Sequence, residues 1–220
     1  MIVAAAVWAF IELADEVVEG STAAIDEAIL LALRNPADTT EPLGPAWLEE
    51  MMRDFTGLGG TGILTLFTLG ASGYLILRRK QKAALAVLIA VGGGILLSTA
   101  VKLGFDRPRP DLVPHGSYVQ TASFPSGHSM MSAVVYLTLA VMLARVRPQW
   151  RIKTYVLACA VLLTVLVGAS RVYLGVHWPS DVLAGWSIGA AWALTCWLVT
   201  LLLQRRGQIE PEQDDGGGTG

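Results

Sequence analysis

Ser170-Arg171-Val172-Tyr173-Leu174-Gly175-Val176-His177-Trp178-Pro179-Ser180-Asp181 places a cation, a histidine and a carboxylate between two apolar runs, each of about membrane-spanning length. Pro179 suits the first position of a helix, because its fixed φ is helical and its missing N–H would have no intrahelical partner there. His177 then falls just outside a helix start and Asp181 in its first turn. Unpaired N–H groups and the positive end of the helix dipole favour a phosphate-like anion at such a terminus. A carboxylate that accepts one imidazole N–H fixes the tautomer and leaves the other nitrogen with a free lone pair, which is what a histidine nucleophile requires. Taken alone, the segment equally fits an interfacial loop with a snorkelling arginine and a capping aspartate.

Two further segments carry compatible chemistry. In Lys102-Leu103-Gly104-Phe105-Asp106-Arg107-Pro108-Arg109-Pro110 the prolines prevent a continuous helix, so Lys102 ends one helix and Arg109 folds back from a rigid turn. In Phe124-Pro125-Ser126-Gly127-His128-Ser129 a helix opens: Ser126 is placed to cap it, Gly127 lets an anion approach the backbone, and His128 sits in the first turn as a proton donor. By itself Ser-Gly-His reads as a capping turn with an incidental histidine. The chain has three histidines, and His128 and His177 both fall at helix starts beside Lys102, Arg107, Arg109 and Arg171.

The elements that must position these residues are membrane helices. The 220-residue chain is 53% hydrophobic and 15% charged, too apolar for an ordinary soluble domain, and its formal charge of −2 gives no reason to expect nucleic acid. Between Phe55 and Ile209 the only acids are Asp106, Asp111 and Asp181. Cys159 and Cys196 each lie inside an apolar run with no metal-ligand spacing, which suits small packing residues. Five spanning helices are expected near 60–77, 83–101, 129–144, 154–169 and 182–203. A short first helix from Ile2, cut by Glu12, Asp15 and Glu16, makes six. Between them lie an amphipathic helix over Ser21–Arg34 with an Ile25, Ile29, Leu30 and Leu33 stripe, a polar loop from Asn35 to Pro45, and a short interfacial helix over Trp47–Phe55. Glycines 57, 59, 60, 62 and 92 to 94 read as helix-packing faces. The expected division is 1–54, a short first span plus an amphipathic segment; 55–206, a five-helix core; and 207–220, a disordered acidic tail.

Basic residues at 78–82, 145–153 and 205–206 mark three ends on one side, which the positive-inside rule places in the cytoplasm together with both termini. Lys102, Arg107, Arg109 and Arg171 then lie on the outer face, where orientation gives no reason for them.

Lys102, six residues, then Arg109-Pro110; Pro125-Ser126-Gly127-His128; and Ser170-Arg171, five residues, His177, three more and Asp181 closely resemble the three-part signature of the type-2 phosphatidic acid phosphatases. These share a superfamily with bacterial acid phosphatases and vanadium haloperoxidases. The resemblance covers roughly residues 55 to 204 without a gap in any motif. It implies that His177 attacks phosphorus to give a phosphohistidine, that Asp181 holds His177, and that His128 protonates the leaving group and then activates water. It also implies that Lys102, Arg109, Ser126, Gly127 and Arg171 bind the phosphoryl oxygens. Phosphoryl transfer needs mainly positioning and charge neutralisation, which three cations supply without metal or other cofactor. Arg107 misses the spacing and is left as a surface or headgroup contact; His115 matches nothing and reads as a solvated loop residue.

The expectation is therefore an all-α polytopic membrane phosphatase with six spans and an outward-facing site. It would be metal-independent and act on a lipid monoester or diphosphate such as undecaprenyl diphosphate, phosphatidylglycerol phosphate or phosphatidic acid. The alternatives are a lipid phosphotransferase with the same site and an anion-binding transporter, although transporter sites usually sit at the bilayer midplane. Oligomeric state is not legible in the sequence.

Overall fold

In the computed structural model, which describes residues 1–111, 122–145 and 149–208, apolar helices gather around one central helix. The order is α1 (Ile2–Glu19), α2 (Ala23–Ala32), a hairpin of β1 (Arg34–Asn35) and β2 (Asp38–Pro42), α3 (Ala46–Leu58), α4 (Thr61–Leu77), α5 (Gln81–Lys102), α6 (Gly127–Arg145), α7 (Trp150–Tyr173) and α8 (Pro179–Arg205). Among the described residues α5, α7 and α8 are long and apolar enough to cross a membrane. The pair α3 and α4, bent by 48° at Gly59-Gly60, makes a fourth candidate, while the apolar part of α6 is the shorter stretch Gly127–Met142.

Two expectations for the N-terminal quarter need correction. The segment read as a polar loop contains an antiparallel hairpin, so the fold is mostly rather than wholly helical. Asn35 and Asp38 make the turn, their carbonyl and carboxylate oxygens accepting the backbone N–H of Ala37 and Thr40 at 3.0 and 2.9 Å. The hairpin is fastened to α7: Arg34, 2% exposed, donates to Tyr173 O at 2.8 Å, and the Tyr173 hydroxyl donates to Leu43 O at 2.8 Å. On α2 the inward stripe is Thr22, Asp26 and Leu30. Ile25 and Ile29, read with Leu30 and Leu33 as one apolar stripe, are 66% and 43% exposed, whereas Leu30 is buried. No side chain caps the start of α2.

The helix ends that matter most follow the sequence signals. The Arg107-Pro108-Arg109-Pro110 run is irregular, and α8 starts at Pro179 as expected. Gly175, at φ 69°, reverses the chain after α7, with Val176 N–H donating to Arg171 O at 3.1 Å. That reversal sets His177 beside the end of the helix it follows.

Packing depends on small residues opposite backbone or indole. α6 lies against α8 so closely that a Cβ on Gly185 would stand 2.7 Å from Ser126 O, and one on Gly189 2.6 Å from Met130 O. This four-residue spacing is the small-xxx-small pattern of close membrane-helix contacts. Two α8 tryptophans fill notches in neighbouring helices: Trp186 against Gly168, donating to Thr164 O at 3.1 Å, and Trp192 against Gly93, donating to Ala90 O at 2.8 Å. Val87, Val91, Val135, Tyr136 and Val167 are buried at the centre of the bundle. Of the glycines expected to pack, Gly59, Gly93 and Gly94 touch neighbouring side chains, while Gly57, Gly62 and Gly92 have open space beside them.

This difference sets up a paired measurement. Gly189→Ala forces a methyl onto a helix backbone and is expected to destabilise by about 1–3 kcal/mol, seen as a lower thermal midpoint in detergent. Gly62→Ala meets nothing and is expected to hold or raise that midpoint, since alanine is the better helix former by roughly 0.5–1 kcal/mol.

Candidate active site

The end of α5, the start of α6, the end of α7 and the start of α8 meet at one end of the bundle, and each contributes a charged or titratable side chain. α6 and α8 are locked there by Ser126 N–H donating to Asp181 O at 3.0 Å. At its centre is His177, 2% exposed. Its Nδ1 lies 3.2 Å from Asp181 Oδ2 and 3.3 Å from Ser123 Oγ, and its Nε2 lies 3.1 Å from Arg109 Nη1. A guanidinium only donates, so Nε2 must be the accepting nitrogen and Nδ1 must carry the proton directed at Asp181. The lone pair of Nε2 therefore points towards the cations. Burial pushes the His177 imidazole down to about 3 against the opposing pull of Asp181, with Arg109 and Arg171 adding to the depression.

Asp181 is fully buried and saturated. One oxygen, Oδ2, accepts from His177, from the Ser123 hydroxyl at 2.5 Å and from Trp178 N–H at 3.0 Å; the last of these is a helix cap made from the first turn back to the residue before Pro179. The other, Oδ1, accepts from Arg107 at 2.7 Å.

The remaining cations line the same space. Arg109 also donates to Val176 O at 3.0 Å, and burial lowers its pKa against the attraction of Asp181. Arg171 donates to Thr56 Oγ1 at 2.9 Å, which ties α7 to α3, and its Nε is buried with no acceptor among the described residues. Lys102 donates to Ala122 O at 2.9 Å and lies within electrostatic reach of Arg109, Arg171 and Asp181. His128 feels Arg171, Arg109 and Lys102 in the same way. A cavity of about 260 Å³ between α4, α5 and α6 is lined by Gly127 and His128 at one end and by Leu64, Val91 and Ile95 elsewhere. The His128 ring rests against Gly59, where a Cβ would come within 3.3 Å of it.

The structure thus brings Lys102, Arg109, Gly127, His128, Arg171, His177 and Asp181 to one place. Ser126 is there too, but its N–H is committed to Asp181 O and its hydroxyl oxygen accepts from Ser129 at 3.0 Å, so only its own hydroxyl proton remains to be donated. His115 lies outside the described residues.

Arg107 is not the surface contact its spacing suggested. Its side chain is 14% exposed and bridges Asp181 to Asp26 of α2, 2.7 Å from each. Three residues with no place in the motif reading, Asp26, Ser123 and Ser180, join this network. Asp26 carried a signal: it lies four residues before the buried Leu30, on the same face of a helix whose only other charged residue is its neighbour Glu27. Ser123 had none, since a lone serine before Phe124 is indistinguishable from a loop residue.

Comparison with known proteins identifies the family. Residues 83–205 match the PAP2 superfamily model. Phosphatidylglycerophosphatase B of Bacillus subtilis (strain 168) is 40% identical over 146 residues, 65% of this chain and 70% of that protein. An undecaprenyl-diphosphatase of Sulfolobus acidocaldarius is 35% identical over 121 residues, 53% of this chain and 54% of that one. The crystal structure of a transmembrane PAP2-type phosphatidylglycerolphosphate phosphatase from Bacillus subtilis superposes with a TM-score of 0.79 at 32% identity, covering 92% of this chain and 98% of the other. With the family model matched over more than half of its length and a solved phosphatase superposing on nearly all of it, the chain belongs to the PAP2 superfamily.

Proposed function

We propose that this membrane protein is a lipid phosphatase that removes a terminal phosphate through a covalent intermediate on His177. The observation that carries the reading is the disposition of the two ring nitrogens: Nδ1 is held at 3.2 Å by Asp181, while Nε2 faces Arg109 at 3.1 Å. In the first step the Nε2 lone pair forms the N–P bond as the bond from phosphorus to the leaving oxygen breaks, and His128 gives that oxygen a proton. In the second, water attacks phosphorus, His128 takes its proton, and the N–P bond returns its electron pair to Nε2 as inorganic phosphate departs. Asp181 stabilises the positive ring of the intermediate through Nδ1–H. Lys102, Arg109 and Arg171, with the Ser126 hydroxyl and the Gly127 amide, neutralise the phosphoryl oxygens. The buried Nε of Arg171, which has no acceptor among the described residues, supports this assignment, because such a donor is expensive unless an anion supplies a partner.

The substrate class is a lipid monoester or diphosphate. Phosphatidylglycerol phosphate leads, because the Bacillus subtilis relatives named for it match the chain over the greatest share of their length among those described above; undecaprenyl diphosphate and phosphatidic acid follow. In this reading the chain crosses a prokaryotic plasma membrane six times, with α1, α4 and α6 added to the three long apolar helices. Residues 55–206 form the catalytic core, 1–54 lie before it, and the tail from 207 is cytoplasmic like the N-terminus. The basic residues Arg78, Arg79, Lys80, Lys82, Arg151, Lys153, Arg205 and Arg206 lie at the helix ends opposite the site, which supports an outward-facing pocket by the positive-inside rule.

Phosphate release by the detergent-purified protein, with chelator present, across these three lipids tests the proposal. The wild-type chain is expected to act without divalent metal, and His177→Ala to abolish turnover and acid-labile labelling by substrate phosphate. Asp181→Asn, which supports the wrong tautomer, is expected to lower kcat by about 10⁴, as the equivalent loss does in a serine protease triad. Normal turnover by His177→Ala would sink the mechanism.

The depressed His177 pKa gives a stability prediction. Between about pH 3 and 6.5 the unfolded chain binds a proton at His177 that the folded chain refuses, so stability rises with pH across that window. This contribution is complete above 6.5 and is lost as pH falls towards 3. Relative to wild type, the thermal midpoint of His177→Ala is expected to fall less between pH 7 and pH 4.

A further inference from the structure

Arg107 touches Asp181, Ser180 and Asp26, and no nitrogen of His177. It approaches Asp181 on the oxygen that His177 does not use. Because Oδ2 alone receives His177, Ser123 and Trp178, the plane of the carboxylate is fixed only when Oδ1 is also held, and Arg107 holds it at 2.7 Å. The other arm of the guanidinium reaches Asp26 Oδ2 at 2.7 Å, and its carbon lies 5.5 Å from the centre of the Trp178 ring. Asp26 in turn caps α8 from outside the helix: its Oδ1 accepts Ser180 N–H at 2.9 Å and its Oδ2 accepts the Ser180 hydroxyl at 2.5 Å. Asp26 and Asp181 are buried, with side chains 3% and 0% exposed.

We propose that Asp26 and Arg107 are positioning residues of the phosphatase reaction: the carboxylate–guanidinium–carboxylate chain Asp26–Arg107–Asp181 fixes the plane of Asp181 and, through it, the ring of His177. The inference rests on the lipid phosphatase reading given above. Its physical content is a division of labour among the arginines. Arg109 and Arg171 face the phosphoryl group, whereas Arg107 is held away from it by a second carboxylate from α2. A guanidinium bonded only to Asp181 would be free to swing towards an incoming phosphate dianion and take Asp181 with it. Asp26 anchors it from behind. A planar fork matches two carboxylates in a way that a lysine ammonium does not.

The test uses the full chain in detergent, with phosphatidylglycerol phosphate, phosphatidic acid and undecaprenyl diphosphate each supplied in turn. kcat and KM are measured for wild type, Arg107→Gln, Arg107→Lys, Asp26→Asn and the Arg107→Gln/Asp26→Asn double variant, with a thermal melt of each. Arg107→Gln is expected to lower kcat on the order of 10- to 100-fold with KM changed by less than about 3-fold, the range seen when a group that orients a reacting ligand through its partner is removed. Arg107→Lys is expected to restore only part of that loss, and the double variant to be no slower than Arg107→Gln, because both changes break one chain of contacts. If Arg107→Gln does not fold, Asp26→Asn, which keeps the side-chain shape, decides by the same split. An active wild type whose kcat is unchanged in Arg107→Gln or Asp26→Asn overturns the positioning role, as does a loss confined to KM or one that is additive in the double variant. A folded wild type that releases phosphate from none of the three lipids overturns the phosphatase reading itself.

Discussion

The contact on which the rest of the molecule depends is the backbone-to-backbone approach of α6 and α8. Gly185 and Gly189 have no side chain to hold the helices apart, and the Ser126 amide closes onto Asp181 O at the end of the seam. Without hydrophobic drive between helices in lipid, such closeness relies on dispersion and on hydrogen bonds like this one. It carries the His128 motif and the His177 motif, far apart in sequence, to the same end of the bundle. The Trp186 and Trp192 notches then set how α7 and α5 lie against that pair, and so where Arg171 and Lys102 arrive.

The site itself is an exercise in uneven charge. Lys102, Arg109 and Arg171 converge on one place within electrostatic reach of His128, while Asp181 is occupied by His177, Ser123 and Arg107. Burying cations together is unfavourable unless something compensates, and in the proposed reading the phosphoryl group of the substrate is that compensation. Burial foremost keeps the imidazole neutral, and Arg109 and Arg171 add to that effect against the pull of Asp181. In the mechanism proposed above, affinity for the anion and a neutral histidine nucleophile would both draw on this arrangement.

Much of this was legible in the residues. Pro179 marked the start of α8, the Arg-Pro-Arg-Pro run marked the break after Lys102, and motif spacing assembled His128, His177, Asp181 and the cations. What escaped was whatever depends on a neighbour distant in sequence. The hairpin at Arg34–Pro42 is too short and polar for period-2 alternation to reveal, and it is held by Tyr173 from the far end of the chain. Arg107 looked peripheral because its partner Asp26 lies 81 residues away. Hydrophobicity alone cannot tell a protein core from an apolar surround, so the stripe of Ile25, Ile29, Leu30 and Leu33 does not reveal that Leu30 is buried while Ile25 and Ile29 face outward.

The Asp26–Arg107–Asp181 bridge also bears on how the chain is made. Synthesis runs from the N-terminus, so Arg107 appears when Asp26 already exists and Asp181 does not. One counter-ion of the guanidinium precedes it in the chain, and the second comes with α8, whose start Asp26 caps. Of the elements described, α8 is made after the other two arms of this bridge, and it brings both Asp181 and the helix start that Asp26 caps.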